Sequence, residues 1–154
     1  MPDLLPEPVP MTDALRIALS RGIMPTGMST EELRELPAEL RVLAVFSART
    51  ANAAYLQKVR EVINQVVDGK INHATARVTL LETLRAMGYT PEGGFPDSDT
   101  PVPPAVAGSL QDLSSFRRLD LIIRTQERLM RGAGQKQRGL ERVDIAPAWE
   151  LVRV

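Results

Sequence analysis

The sequence predicts a mainly α fold: a helical hairpin and a C-terminal amphipathic helix, a Pro/Gly-rich loop between them, and a short terminal β-strand. Three observations predict it. Residues 38–68 contain neither glycine nor proline, and Leu56, Val59, Ile63 and Val66 recur there at helical spacing. Residues 116–142 carry an apolar stripe opposite a row of arginines. The chain is 44% hydrophobic but only 4% aromatic, so its core is aliphatic, which suits helices.

The elements follow in order. Residues 1–10, MPDLLPEPVP, are proline-rich and acidic and read as an extended arm. They lack the basic and apolar regions of a signal peptide. A helical domain is expected over residues 11–90. Thr12 or Asp13 caps its first helix, Leu15 and Leu19 share a face, and Gly22 supplies the stop. Ser29 and Glu32 have the spacing of a capping box, and Pro37 divides that short turn from a longer helix. Gly69 ends the longer helix. Asn72 caps the next, on which Val78, Leu81 and Leu84 share a face and which Gly88 closes.

Residues 91–114 are expected to form an acidic loop or linker. Nine glycines and prolines fall within residues 88–108, and a stretch of this length is unusual inside a compact core. Ser114 or Ser115 then caps the amphipathic helix of residues 115–142, whose regular part should end near Gly132 because glycine is poor inside a helix. Residues 143–154 end in PAWELVRV and resemble a strand with no evident upstream partner.

Charge is uneven although the total is zero, with 19 basic and 19 acidic residues. Residues 91–115 hold four acids and no base, whereas residues 116–142 hold eight bases and three acids. Plotted on a helix, Arg117, Arg124, Arg128 and Arg131 line an arc of about 60°, opposite Leu119, Ile122, Ile123, Leu129 and Met130. This face is either a solvated exterior or a partner-binding surface, since guanidinium groups grip carboxylate and phosphate. With almost no aromatic residues for base stacking, an acidic protein surface fits it better than DNA.

Other chemistry is not indicated. The chain has no cysteine and one histidine, and His73 sits at a helix start, where a surface role is expected. GAGQKQRG departs from a phosphate loop in spacing and follows a helix rather than a strand. Glu31, Glu32 and Glu35 cluster at a helix N-terminus, where carboxylates suit the dipole. The expectation is no enzyme, no catalytic, cofactor or metal site, and no small-molecule substrate. No apolar run reaches the length of a bilayer span, so no membrane partner is expected either.

Three stretches carry a resemblance. FSARTANAAYLQKVREVINQVVDGKINHATARVTLLETLRAMGY is similar to the N-terminal helical region of phage minor head proteins, the head morphogenesis family of the phage Mu F type. DLSSFRRLDLIIRTQERLMRGAGQKQRG resembles the segment that follows, with an Arg-Thr pair at Arg124 and Thr125. PAWELVRV resembles a strand that comes next in some members. The resemblance covers residues 11–154 through diffuse helical patterns. It implies a low-copy structural protein of the virion, assembled in the host bacterial cytoplasm and associated with the portal vertex. Its partners would be portal or other capsid proteins, with DNA as a weak further contact. No catalytic residues carry over. Family members usually continue into a mixed α/β region, so the end at Val154 implies a truncated or naturally short version. The alternative is a helical nucleic-acid-binding module using residues 116–142.

Overall fold

The structure, a computed structural model, describes residues 12–96 and 104–142. It is mainly helical, with six helices and one small sheet among the described residues. In order these are α1 (Thr12–Ser20), β1 (Gly22–Ile23), α2 (Thr30–Glu35), α3 (Ala38–Leu43), β2 (Ala44–Val45), α4 (Ala53–Val67), α5 (His73–Ala86) and α6 (Phe116–Glu141). The expected arm and the expected terminal strand of residues 143–154 lie outside the described residues.

Local chemistry sets most helix starts. Ser29 and Glu32 form the reciprocal capping box, the Glu32 amide donating to Ser29 Oγ at 3.3 Å and the Ser29 amide to Glu32 Oε2 at 2.7 Å. Asn52 accepts from the Tyr55 amide, Asn72 from the Thr75 amide and Ser115 from the Arg118 amide. Each cap satisfies one of the amides that a first helical turn leaves unpaired. Both α4 and α5 end at a glycine with left-handed φ, 77° at Gly69 and 71° at Gly88. The amides beyond them turn back onto the carbonyls of Gln65 and Leu84, the closure that such a glycine permits.

The core forms where α1, α4, α5 and α6 meet. From α4 come Tyr55, Val59, Val62, Ile63, Val66 and Val67; from α6 come Leu119, Ile122, Ile123 and Met130. α5 contributes Ala76, Leu80 and Leu84, so the buried face is rotated from the expected one and Val78 is 55% exposed. α1 is seated through Ala14 and Ala18 rather than through Leu19, which faces outward.

Three boundaries differ from the sequence expectation, each for a physical reason. The long helix of residues 38–68 is broken. After α3, β2 pairs in parallel with β1, Gly22 opposite Ala44 and Ile23 opposite Val45. The carbonyls of Ala44, Phe46 and Ala48 are taken by the side chains of Arg21, Gln126 and Arg118, which replace helical amides as donors. Arg49 adopts φ 54°, which a continuing right-handed helix does not allow. Likewise, Gly22 is not a helix stop; it begins β1.

The third difference is α6, which runs past Gly132 to Glu141. Gly134 is buried against Ala14, and a Cβ added there would lie 2.7 Å from the Ala14 amide nitrogen. The close approach of α1 offsets the cost of glycine in that turn. The loop of residues 91–114 is also not wholly exposed: Phe95, Ala105 and Leu113 are buried. Phe95 packs against Tyr55 and Tyr89 with ring centroids 5.9 and 5.2 Å away, and the Leu113 amide donates to Tyr89 Oη at 3.0 Å.

Candidate functional site

Helix α6 carries the four arginines that the sequence pattern points to, and the structure divides them. Arg124 and Arg131 are held by acids one turn earlier on the same helix. Arg124 Nε donates to Asp120 Oδ2 at 2.6 Å, and Arg131 Nη2 lies 2.8 Å from Glu127 Oε1. Each acid also reaches α5: Asp120 accepts from Arg77 Nη1 at 2.8 Å, and Glu127 bonds His73 Nε2. His73 is thus half-buried and engaged rather than a plain surface residue. Arg77 also stacks over the Phe116 ring, 4.3 Å from its centroid. Arg117 and Arg128 are exposed and have no ion-pair partner among the described residues. The expected row of four becomes two outward cations and two that belong to a lattice joining α5 to α6.

That lattice shifts the two acids. Burial pushes the Glu127 carboxyl up, but hydrogen bonds from Arg131 and His73 outweigh it and the net shift is below the usual 4.5. Burial acts the same way on Asp120, and bonds from Arg124 and Arg77 hold it below the usual 3.8. A carboxylate depressed in the folded state binds fewer protons there than in the unfolded chain. Its stabilisation is therefore complete above the ordinary value and is lost as pH falls through the folded one. The expected result is a urea midpoint that falls once pH drops below 3.8–4.5. Combined Asp120→Asn and Glu127→Gln should lower the neutral-pH midpoint and flatten that acid slope. Urea titrations across the acid range check both.

A second polar group lies inside the fold, where no sequence pattern points. Arg21 is only 2% exposed, and its Nη2 donates to Ala44 O at 2.6 Å and to Gln126 Oε1. Gln126, equally buried, donates through Nε2 to Phe46 O at 2.8 Å. No carboxylate among the described residues bonds Arg21, and its Nε and Nη1 find no hydrogen-bond partner there. Burial, then the charge of Arg60, pushes it down to about 10, so it stays cationic at neutral pH. Arg118 works nearby, with Nη2 donating to Ser47 Oγ and Ala48 O, both at 2.6 Å. Together Arg21, Gln126 and Arg118 tie residues 44–48 to α6.

The i,i+4 pairs Asp120–Arg124 and Glu127–Arg131 are visible in the sequence, since that spacing places opposite charges side by side on a helix. Arg21 and Gln126 are 105 residues apart, and no local pattern announces their contact. Among the described residues no group of three or more His, Cys, Asp or Glu is placed to hold a metal ion. None of the described helices is long and apolar enough to cross a membrane. Comparison with protein-family models, curated proteins and solved structures finds no match to this chain.

Proposed function

We propose that this chain is a structural phage protein, a minor head component that takes part in capsid assembly at the portal vertex through protein–protein contacts. The observation that carries the reading is the outward positive charge of α6. Arg117, Arg128 and Lys136 have no carboxylate partner among the described residues, on a helix whose other side is fixed in the core. Unpaired guanidinium and ammonium groups on a rigid element suit an acidic protein surface. The resemblance to phage minor head proteins supplies the kind of assembly. The alternative, a nucleic-acid-binding module, is less favoured because Asp120 and Glu127 neutralise half of the arginine row.

The test is co-purification with the portal protein encoded nearest to this chain, at low and moderate salt. The expected result is a complex that Arg117→Gln with Arg128→Gln weakens without lowering the melting temperature. Arg124→Gln with Arg131→Gln should instead destabilise the fold. No complex with portal or any other head protein overturns the reading. Duplex DNA binding that falls steeply with rising salt would select the alternative.

A further inference from the structure

A groove of about 880 Å³ runs between α3 and the C-terminal half of α6. Its walls are apolar: Val42 and Leu43 on α3 face Leu129 and Leu140 on α6. Leu43 is 65% exposed and Leu140 58%. α3 buries none of its residues, although a six-residue helix has little stability of its own. Large apolar side chains in a concave, open setting mark a contact surface.

The lining adds an independent observation. Gly132 and Ala133 are part of it, Gly132 is exposed, and a Cβ added to Gly132 would meet nothing within 4 Å. Gly134, two residues on, is explained by α1 pressing on it. Nothing among the described residues explains Gly132, where glycine in a helix is costly. Bare backbone in the lining of an apolar groove leaves room for the close approach of a partner. The rim identifies its charge. Arg41, Arg128 and Lys136 surround the groove against one acid, Glu39, and the Arg41 Nε is buried with no hydrogen-bond partner.

We propose that this groove docks an acidic amphipathic helix of a partner protein, its leucine-type face on Gly132 and Ala133 and its carboxylates on Arg41, Arg128 and Lys136. Helix-in-groove recognition combines such an apolar lining with a charged rim. The inference rests on the reading that the chain acts through protein contacts, and it assigns the surface.

The probe is a synthetic acidic helical peptide with leucines at i, i+3, i+4 and i+7, and its control is the same composition scrambled. Fluorescence anisotropy with the full chain should show saturable binding of the first and not of the second. Gly132→Leu, whose Cβ meets nothing within 4 Å, puts a bulky side chain on the groove lining and should abolish binding. Arg128→Glu with Lys136→Glu should weaken it about tenfold at low salt, less at high salt. Absence of binding, or binding unchanged by both variants, overturns the proposal. So does a concentration-dependent dimer that Gly132→Leu dissolves, which would give the groove to a second copy. Binding that emerges only after residues 143–154 are removed would give it to the chain's own end and overturn the proposal equally. The two readings also fail separately. A portal complex indifferent to Gly132→Leu sinks the groove alone, and peptide binding with no head-protein complex sinks the minor-head reading alone.

Discussion

Gly134→Ala is expected to lower the melting temperature, Gly134→Val to lower it much further, and Gly132→Ala to raise it. The two glycines share one helix and nearly one turn, so the gain in helix propensity on adding a methyl is the same for both, about 1 kcal/mol. Their surroundings differ. At Gly132 the new Cβ enters open space; at Gly134 it comes within 2.7 Å of the Ala14 nitrogen, 3.0 Å of its Cα and 3.2 Å of its Cβ. Two of those three atoms are backbone, so no side-chain rotation relieves the clash and α1 must move as a unit. Overpacking of this kind costs about 1–3 kcal/mol, enough to exceed the propensity gain. Valine adds two further methyls and a restricted χ1, for a net loss of about 3 kcal/mol or more. With each kcal/mol worth about 2–4 °C in a chain of this size, that is a fall of roughly 10 °C. Thermal unfolding followed by circular dichroism separates the variants. Equal tolerance of alanine at both positions would mean that α1 is not seated on Gly134.

That contact also shows where the sequence is legible and where it is not. Features that act within one turn are readable: the Ser29–Glu32 box, the Asn72 and Ser115 caps, and the Gly69 and Gly88 stops. The apolar row of α4 is readable because Leu56, Val59, Ile63 and Val66 are all large. The face of α1 is not, because Ala14 and Ala18 carry too little apolar area to outweigh Leu15 and Leu19 in any periodic pattern. The same smallness hides the end of α6, where a glycine that looks like a stop is the point of closest helix packing. The break at residues 44–52 is unreadable for another reason. No glycine or proline marks it; its cause lies in side chains distant in sequence that capture its carbonyls. On the arginine face the directions are legible from the helical period alone. Which arginines are paired depends also on the acids at i−4, Asp120 and Glu127, which a tally of the positive charges leaves out.

Gln126→Leu is expected to be among the most damaging single substitutions, and Arg21→Met to rescue it in part. Leucine fits the volume but removes two bonds at once: the acceptor for the Arg21 guanidinium and the donor to Phe46 O. Leaving a buried donor or acceptor without its partner costs about 1–3 kcal/mol each, more where the group is charged, and total stability is about 5–15 kcal/mol. Arg21→Met in the same chain removes the stranded charge, so the double variant should be more stable than Gln126→Leu alone, with a coupling of about 2 kcal/mol. Urea unfolding of the four proteins in the cycle checks this, and strictly additive losses would show that the two side chains act independently. The consequence reaches the groove. Arg21 and Gln126 hold residues 44–46, the segment that continues directly from α3, and α3 has no fully buried residue, only Val42 packed half-buried against the core. The wall formed by Val42 and Leu43 is therefore positioned both by the packing of Val42 on the core and from below, by hydrogen bonds to β2 and the residue after it. At temperatures where Gln126→Leu is still folded, it should already weaken binding of the acidic helix, although Gln126 is not part of the groove's lining.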